Sequence, residues 1–467
     1  MKPIKSTLYL LGVITLVIAC NTQQKKTEKP ELYTKLAVSE PCLAKSSWFT
    51  IDPTTKKRKT PPPAEDSTSV FGNNKTVSNC DFHQWSWQKF LWLTNDESGT
   101  PLFIEELIQV DNQNTPVGLP NDKTIVLSSS DNVQASGNIL KSNKDFSTDS
   151  TSYDVYYSIH VDSSLFNTTN KYAAKPKSQY TEVTFPVGAL ELKVAWIDAK
   201  AIKDTSSYYL TNIMLEGTST PMALLGMHVV GIVYNHPEFV WATFEHEDLT
   251  PYYDWQSTTT TSDVPVTSST NKLFFNKNAT GTIDNLNYAN DSINMFAVNK
   301  YGVPRQAQNT FLKTSQEEPT NYNHIDEINA SVKSKLTDIW KNYFYNGSIW
   351  VNTEGYSYPT GQAQLLNSLG GNLHIPDSTS LLRGSVAAYN ITMETYEQLG
   401  FSLPSAIHEQ SVNTIGNCFT CHSSDGSPLT FSHVFNGAVH KASTGASRKQ
   451  TKQKHLNEIT EFIKKMK

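Results

Sequence analysis

Leu190-Glu191-Leu192-Lys193-Val194-Ala195-Trp196 is the stretch that best defines the fold of this chain. Large apolar residues occupy every second position, and this period of two is typical of a β-strand that packs one face against a core. Residues 208–215 predict a second strand. Residues 222–233 and 239–244 predict a hairpin whose turn is the polar segment 234–238.

Helical patterns flank these strands on both sides. Residues 81–93 (DFHQWSWQKFLWL) place Trp87, Phe90 and Leu91 on one face, with Asp81 as the expected N-cap, and predict a buried aromatic helix. After residue 323, apolar residues recur at three- and four-residue spacing, which predicts an amphipathic helix. These apolar residues are Ile325, Ile328, Val332, Leu336, Ile339, Trp340 and Tyr343. Shorter helices are predicted at 390–399 and 450–466.

The expected fold class is α+β: a β-rich central body, a flanking aromatic helix and a helical C-terminal region. Residues 1–20 read as a lipoprotein signal peptide and 21–78 as a tether and irregular lead-in. The β-rich body is expected at 79–320, and the helical region at 321–467. Within the body, residues 256–270 (QSTTTTSDVPVTSST) are of low complexity and predict a surface loop.

Composition excludes one class of function. The chain has 467 residues, a formal net charge of -5 and a charged fraction of 18%. Arginine occurs only at positions 58, 305, 383 and 448, and no basic stripe precedes the last twenty or so residues. Since nucleic-acid binding depends on clustered positive charge, we expect no nucleic-acid partner.

The N-terminus has the features of an export signal. Lys2 and Lys5 precede an apolar stretch at 8–19 that is short for a transmembrane helix. The stretch ends in Leu16-Val17-Ile18-Ala19-Cys20, which resembles a bacterial lipobox, so Cys20 is the expected site of lipidation. A plain secretory signal or a short anchor is the alternative. We expect an extracytoplasmic protein, lipid-anchored in the periplasm or at the outer membrane.

Two further cysteines, Cys42 and Cys80, would meet an oxidising environment in such a compartment. A bridge between them is the simplest pairing. It would close a loop of about forty residues and contribute roughly 3–4 kcal/mol by the loop-entropy argument. Two free thiols are the alternative.

The remaining cysteines lie in Cys418-Phe419-Thr420-Cys421-His422, which has the Cys-x-x-Cys-His pattern of covalent c-type haem attachment. Two thiols one helical turn apart can each reach a porphyrin vinyl group, and the adjacent imidazole can serve as the proximal iron ligand. A redox dithiol or half of a zinc site would also use paired cysteines. Zinc would need a second pair of soft ligands, and a redox dithiol would be expected in a compact α/β unit.

The late position of this motif leaves about 45 residues after it, and the only methionine among them is Met466. The haem is therefore expected to pack against the preceding body. Candidates for the distal iron ligand are Met393, His433, His228 and His246. An open or water-bound sixth position is also compatible with the sequence.

Several stretches resemble a family of large, largely uncharacterised bacterial monohaem cytochrome c-like proteins. They are Trp85–Leu93 (WSWQKFLWL), Glu191–Trp196 (ELKVAW), Gly226–Val230 (GMHVV), Val240–His246 (VWATFEH), Thr392–Tyr396 (TMETY) and the Cys-x-x-Cys-His motif. They span roughly residues 80–435, although the loops between them do not match. The resemblance implies an exported redox protein with one haem, and it names no substrate.

The first functional hypothesis is electron transfer through one covalent haem c, with electron donor and acceptor proteins or a small redox molecule as partners. The alternative is a haem-dependent redox enzyme, peroxidase- or oxygenase-like, with the β-rich body binding substrate. A third hypothesis is a surface binding or sensing lipoprotein with a structural haem. Trp241, Glu245 and His246 could form a polar cluster beside the haem or an ordinary strand end. Glu191 and Lys193 could form a solvated or structural ion pair.

Overall fold

An open, mainly antiparallel sheet lies at the centre of the molecule. The computed structural model describes residues 40–118, 122–132, 141–251, 268–275, 277, 321–373, 381–384, 390–393 and 418–445. Its strands are β1 Ile108–Val110, β2 Val126–Leu127, β3 Val155–Val161, β4 Leu190–Asp198, β5 Leu210–Leu215, β6 Thr218–Val233, β7 His236–His246, β8 Tyr343–Val351 and β9 Leu382–Gly384. They lie in the order β1-β3-β4-β6-β7-β8-β9, while β5 pairs with β6 and the short β2 runs parallel to β5.

Helices cover both faces of the sheet. They are α1 Asn79–Leu93, α2 Leu102–Glu105, α3 Ser163–Tyr172, α4 Asn321–Lys333, α5 Thr360–Leu369, α6 Cys418–Cys421 and α7 His433–Thr444. One face, here called the α1 face, carries Leu192 and Phe244 and packs against α1 and α4. The other, here called the motif face, carries Trp241 and packs against α5 and residues 418–439.

Aromatic packing joins α1 to the sheet. Phe90 stacks on Phe244 with ring centroids 4.2 Å apart, and Phe82 stacks on Trp350 at 4.0 Å. Each ring is fully buried, and burying one aromatic side chain stabilises the fold by roughly 1.5–3 kcal/mol. The prediction of a buried aromatic helix is confirmed. Its N-cap, however, is Ser78, which forms a capping box with Asp81 at the third helical position.

The strand predictions around residue 190 are confirmed. Residues 190–196 lie in β4, with alternate side chains on opposite faces, and β6 and β7 form the predicted hairpin. The turn is tighter than 234–238, because Val233 pairs with His236 and only two residues connect the strands. Asn235 has a φ of 66°, a conformation that asparagine tolerates better than most residues.

The long helix predicted through Tyr343 is wrong beyond α4. The helix ends at Lys333, a 3-10 turn occupies Ile339–Asn342, and Tyr343 begins β8. The Asp338 side chain accepts a hydrogen bond from the Trp340 amide at 3.1 Å and starts this separate turn. The helical spacing of apolar residues in α4 thus extends by coincidence to Tyr343, which is the first residue of strand β8. The C-terminal region therefore contributes β8 and β9 as well as helices.

The end of the predicted lead-in packs against the body. The structure joins Cys42 to Cys80, at the start of α1, by a disulfide, and the Cys42 amide donates to Glu327 of α4 at 2.8 Å. Arg58 is buried and donates to Asp338 at 2.7 Å and to the Leu91 carbonyl at 2.5 Å. Residues 40–78 are thus integrated into the fold.

Several predictions fall outside the described residues. These are the signal peptide with Cys20, the tether up to residue 39, most of the 256–270 loop and the helix at 450–466. Residues 390–393 of the helix predicted at 390–399 are not helical. None of the helices that the structure describes is long and apolar enough to cross a membrane.

Candidate functional site

The Cys-x-x-Cys-His motif lies on the motif face of the sheet. The short helix α6 contains both cysteines, and the His422 amide donates to the Cys418 carbonyl at 2.9 Å, so His422 continues the helical turn. Phe419 and Phe431 are buried in the core of this face together with Trp241 of β7. The sheet, although it precedes the motif in sequence, therefore provides the surface on which the motif rests.

One hydrogen bond fixes the His422 ring. Its Nδ1 lies 2.7 Å from the Phe431 carbonyl oxygen. A carbonyl oxygen can only accept, so Nδ1 carries the proton and Nε2 holds the lone pair. This is the tautomer that a metal-binding histidine needs when it coordinates through Nε2.

Two rings flank His422. Trp241 contacts it with ring centroids 4.2 Å apart, and its own Nε1 donates to the Glu238 carbonyl at 2.9 Å. His433 stacks on His422 at 3.8 Å with an interplanar angle of 17°. Burial, and then the neighbouring His433, lower the pKa of His422 well below its ordinary value, so its imidazole is neutral at neutral pH.

His433 is not placed as a ligand opposite His422. Its Nε2 lies 3.1 Å from the Cys421 carbonyl oxygen, so this nitrogen carries a proton and donates. A ring that stacks face to face on His422 could not also bind the same iron from the opposite side. In this arrangement His433 supports the His422 ring, and its prediction as a distal ligand does not fit.

The two cysteines of the motif lie on one short helix. Cys418 and Cys421 are half-buried thiols, three residues apart in α6. Neighbouring turns of a helix bring such side chains to one side, which suits two bonds to one planar group. Within the described ranges, no group of three or more His, Cys, Asp or Glu side chains is arranged to hold a bare metal ion. A porphyrin brings four nitrogen ligands of its own.

A polar row crosses the sheet beside the motif. In the register of β4, β6 and β7, Lys193 pairs with His228, and His228 pairs with Thr243. His228 Nδ1 lies 2.8 Å from Thr243 Oγ1. Thr243 is two residues from Trp241 on the same strand, so the row lies on the motif face next to His422. Of the predicted distal candidates, His228 shares this face.

Glu191 and Lys193 interact electrostatically, and each also has another partner. Glu191 accepts a hydrogen bond from Ser432 Oγ at 2.6 Å, and the Lys193 ammonium lies 5.1 Å from the Tyr157 ring centroid. Burial raises the pKa of Glu191 to about 7, against the opposing effects of Ser432 and of Lys193. The Glu191 carboxyl, whose pKa is near neutrality, is therefore hydrogen-bonded to Ser432, the residue that precedes His433.

Glu245 holds the segment that carries Met393. Its Oε1 accepts from the Ile391 amide, the Thr392 amide and Thr392 Oγ1, each at 3.0 Å, and its Oε2 accepts from Asn346 at 2.8 Å. Burial raises the pKa of Glu245, and these hydrogen bonds oppose that shift. Met393 is fully buried in this segment, on the same face as the motif.

A glycine allows this close approach. A Cβ on Gly226 of β6 would lie 3.0 Å from Thr392 Oγ1 and 2.8 Å from the Phe244 carbonyl oxygen. The segment 390–393 thus rests directly on the sheet, which explains the glycine in Gly226-Met227-His228.

His246 is on the opposite face and does not belong to the site. It stacks on Tyr208 with centroids 3.6 Å apart, and burial lowers its pKa to about 4. Trp241 and Glu245 lie on the motif face, so the predicted cluster of Trp241, Glu245 and His246 is divided by the sheet. Strand parity in β7 could have shown this from the sequence, because odd and even positions face opposite sides.

Sequence reasoning missed Phe431, Ser432 and Thr243. Their contacts depend on how the loop after the motif folds back, which no local pattern predicts. Comparison with known protein families, with curated proteins and with solved structures finds no match to this chain.

Proposed function

We propose that this chain is an exported, lipid-anchored protein that binds one haem c covalently and transfers electrons through it. The observation that carries the proposal is the His422 ring, whose Nδ1 bond to Phe431 leaves the Nε2 lone pair for iron. Haem bound there would supply an iron that alternates between two oxidation states. The resemblance to monohaem cytochrome c-like proteins supports the same reading.

The chain's own residues fit the attachment. Each thiol of Cys418 and Cys421 would add across a porphyrin vinyl group, sulfur bonding to one carbon and the thiol hydrogen passing to the other. Trp241 and His433 both contact the His422 ring, which limits its rotation. Phe419 and Phe431, buried next to the motif, give it apolar surroundings.

Two of the four distal candidates remain. His228 and Met393 share the motif face, whereas His433 supports the proximal ring and His246 lies across the sheet. Trp241 and Glu245, four residues apart on β7, are separated by about 13 Å along the strand. The polar row of Lys193, His228 and Thr243 lies between them. This stretch of sheet is where we place the distal side, with an open sixth position as the other possibility.

Covalent haem is the first test. The full-length protein, expressed with a haem-attachment system, should retain haem after acid-acetone extraction, with one haem per chain by pyridine haemochrome assay. The Cys418→Ala, Cys421→Ala double variant should lose it. His440→Ala, on α7 but outside the His422 contacts, is the matched control and should keep a full complement. A wild-type protein without covalent haem would refute the proposal.

A second candidate is a haem-dependent redox enzyme, favoured by Glu191, whose pKa of about 7 suits proton transfer beside the site. The spectrum distinguishes the two. A low-spin spectrum that is unchanged by carbon monoxide supports electron transfer, and a high-spin spectrum that shifts on binding supports catalysis. Ligand binding without turnover of a peroxide or an organic reductant would instead support the sensing lipoprotein.

The proposed location and partners follow from the N-terminus. Lipidation of Cys20 would hold the protein at a membrane, facing the periplasm or the outside, where electron donor and acceptor proteins or small redox molecules could reach it. A Cys20→Ala variant should appear in the soluble fraction, while the wild-type protein sediments with membranes. Equal distribution of the two would refute lipid anchoring.

A further inference from the structure

Four exposed lysines lie near the motif, on elements that contain no acidic residue. Lys171 is in the last turn of α3, Lys175 and Lys177 follow it, and Lys441 is in the last turn of α7. From the start of α3 to Lys177, and throughout α7, no Asp or Glu occurs, although the whole chain has 44 acidic against 39 basic residues. These four side chains, here called the lysine surface, therefore concentrate positive charge in a chain of formal net charge -5.

One loop joins the two helices that carry these lysines. Asn114 donates to Asn170 Oδ1 at 3.1 Å, and Lys441 Nζ donates to Thr115 Oγ1 at 2.8 Å. Asn114 and Thr115 are adjacent in this loop, and Asn170 is the residue before Lys171. Lys171 and Lys441 therefore lie on either side of the same loop, one on each helix.

Lys177 connects the lysine surface to the haem-attachment motif. Its Nζ lies 3.2 Å from Asp425 Oδ1, and Asp425 is three residues after His422. A Cβ on Gly426 would lie 2.7 Å from Lys177 Cε, so the lysine side chain rests on the loop that follows the motif. A protein bound to the lysine surface would thus be near the proposed haem. Electron transfer between proteins needs such proximity, because its rate falls steeply with distance.

The neighbouring carboxylates offset only part of this charge. Asp425 is 88% exposed and pairs with Lys177, and Glu182 is exposed but bonded to α5. Asp111 is buried, and both Asp111 and Asp162 accept hydrogen bonds from backbone amides. Even with both exposed carboxylates counted, the lysine surface keeps a net positive charge.

The chemistry of the surface indicates what kind of partner it fits. Lysine carries a strongly hydrated point charge on a flexible stem, which suits attraction of a negative surface more than tight bidentate binding. Such attraction raises association rates, and electron-transfer complexes are typically small and brief. The described chain enters the fold on the α1 face, at Cys42, whereas α3 and α7 pack on the motif face. This placement favours an acidic protein over the membrane that would hold the lipid anchor.

We propose that an acidic redox protein docks on the lysine surface and exchanges one electron with the haem beside it. The electron passes between the haem iron and a metal centre of the partner, so one metal is oxidised, the other is reduced, and no bond forms or breaks. The electron transfer rests on the proposed function, whereas the binding of an acidic protein does not require haem.

The test uses plastocyanin, an acidic copper protein that accepts one electron, and compares it with azurin, a copper protein without an acidic surface. Stopped-flow spectroscopy follows oxidation of the reduced full-length haem protein by each Cu(II) protein. Between about 10 mM and about 300 mM ionic strength, the rate constant with plastocyanin should fall at least about tenfold. The rate constant with azurin should change by less than about twofold.

Charge reversal locates the docking site. The triple variant Lys171→Glu, Lys175→Glu, Lys441→Glu should slow the reaction with plastocyanin at low ionic strength at least about tenfold and leave azurin within about twofold. Lys175→Glu alone should slow plastocyanin about threefold, so the proposal remains testable if the triple variant fails to fold. Asp425→Asn removes a negative charge beside Lys177 and should speed the reaction about twofold.

A matched control makes the same change of net charge elsewhere. The triple variant Lys45→Glu, Lys56→Glu, Lys75→Glu alters three exposed lysines outside the lysine surface and should keep at least about half of the wild-type rate with plastocyanin. Equal slowing by the two triple variants would show that only the overall charge matters, and would overturn the proposal.

Binding can be measured without electron transfer. Amide shifts of ¹⁵N-labelled Cu(I) plastocyanin, titrated with the full-length protein, give a dissociation constant. The Cys418→Ala, Cys421→Ala variant, which has no cysteines for haem attachment, should bind within about twofold of wild type, and the triple variant of the lysine surface at least about tenfold more weakly. If wild type carries no haem, the proposed function fails, yet this titration still decides whether the lysine surface binds an acidic protein.

Three other results would overturn the proposal. One is that salt affects the reactions with plastocyanin and azurin alike, and another is that the lysine-surface variant reacts and binds like wild type. The third concerns vesicles of phosphatidylglycerol and phosphatidylcholine, added to a Cys20→Ala protein that lacks the lipid anchor. If the vesicles bind through the same lysines and plastocyanin does not bind, the surface faces a membrane.

Discussion

Glu245 offers a sharp test of how the segment 390–393 is held on the sheet. Alanine at this position would remove the acceptor of four donors, three of them on Ile391 and Thr392 and one on Asn346. Each stranded donor costs roughly 1–3 kcal/mol, and relaxation towards water would recover part of this. We expect Glu245→Ala to destabilise the segment by about 3–4 kcal/mol, near the upper end for single substitutions.

Glutamine should behave differently. Asn346 Oδ1 is buried and has no partner within the described structure, so rotating the Asn346 amide by half a turn presents an acceptor to Gln Nε2. The three bonds to Oε1 can then persist. Removing the charge weakens them but also removes the cost of burying a carboxylate. The net change for Glu245→Gln should be within about 1 kcal/mol.

Hydrogen exchange of the Ile391 and Thr392 amides measures this directly. Their exchange should be at least about 100 times faster in Glu245→Ala, and within about fivefold of wild type in Glu245→Gln, since 1.4 kcal/mol corresponds to a factor of ten. Exchange at the Phe90 amide, in α1 on the other face, serves as the internal control. If both variants exchange equally fast, the carboxylate and not the hydrogen-bond geometry holds the segment, and the reasoning is wrong.

Four further predictions rest on contacts of individual side chains. Because Glu191 ionises near pH 7 and its carboxylate favours the oxidised iron, the midpoint potential of the proposed haem should fall as pH rises through about 7, by at most about 59 mV per unit. Glu191→Gln should flatten this slope in a potentiometric titration. His433→Phe keeps the ring stack but loses the hydrogen bond to the Cys421 carbonyl. It should lower the free energy of unfolding by about 1 kcal/mol and leave the haem content unchanged. His433→Ala loses the stack as well and should lower the free energy of unfolding, measured by urea titration, about twice as much. Arg58→Lys should lower the free energy of unfolding by about 2–3 kcal/mol, measured as a lower urea midpoint. The reason is that a lysine ammonium does not reproduce the several hydrogen bonds of the guanidinium. Replacing Cys42 and Cys80 by serine opens a loop with a sequence separation of 38, which should cost about 4 kcal/mol, and an unchanged melting temperature would contradict this.

The sheet was predictable where its pattern is local. The period of two in β4 and the short polar turn between β6 and β7 are both encoded within a few residues. Where two patterns overlap, prediction failed. Tyr343 continues the apolar spacing of α4 by chance, and its strand identity depends on pairing with His246, far away in sequence. Ser78 and Asp81 both suit a helix start, and only the backbone shows that Ser78 is the N-cap.

The site was predictable in its chemistry and less so in its surroundings. Cys418, Cys421 and His422 stand out by spacing alone. To choose among the distal candidates, one must know on which face of the sheet each side chain lies. Strand parity separates His246 from Trp241, but the stacking of His433 on His422 depends on the fold of the loop between them. Tertiary contacts of this kind carry no signal in a single sequence.

The late position of the motif has a structural reason. His422 packs against Trp241 of β7, and Ser432 donates to Glu191 of β4, so the immediate surroundings of the proposed haem come from strands that precede the motif. A C-terminal fragment with the same five-residue motif would lack the tryptophan beside the proximal ring and the carboxyl group that titrates near it. In the proposed function, the motif attaches the haem, whereas β4, β6 and β7 set its charge environment and its distal side. Residues 418–445 alone should therefore not reproduce the spectrum or the pH-dependent potential of the whole protein, even if haem were attached to them.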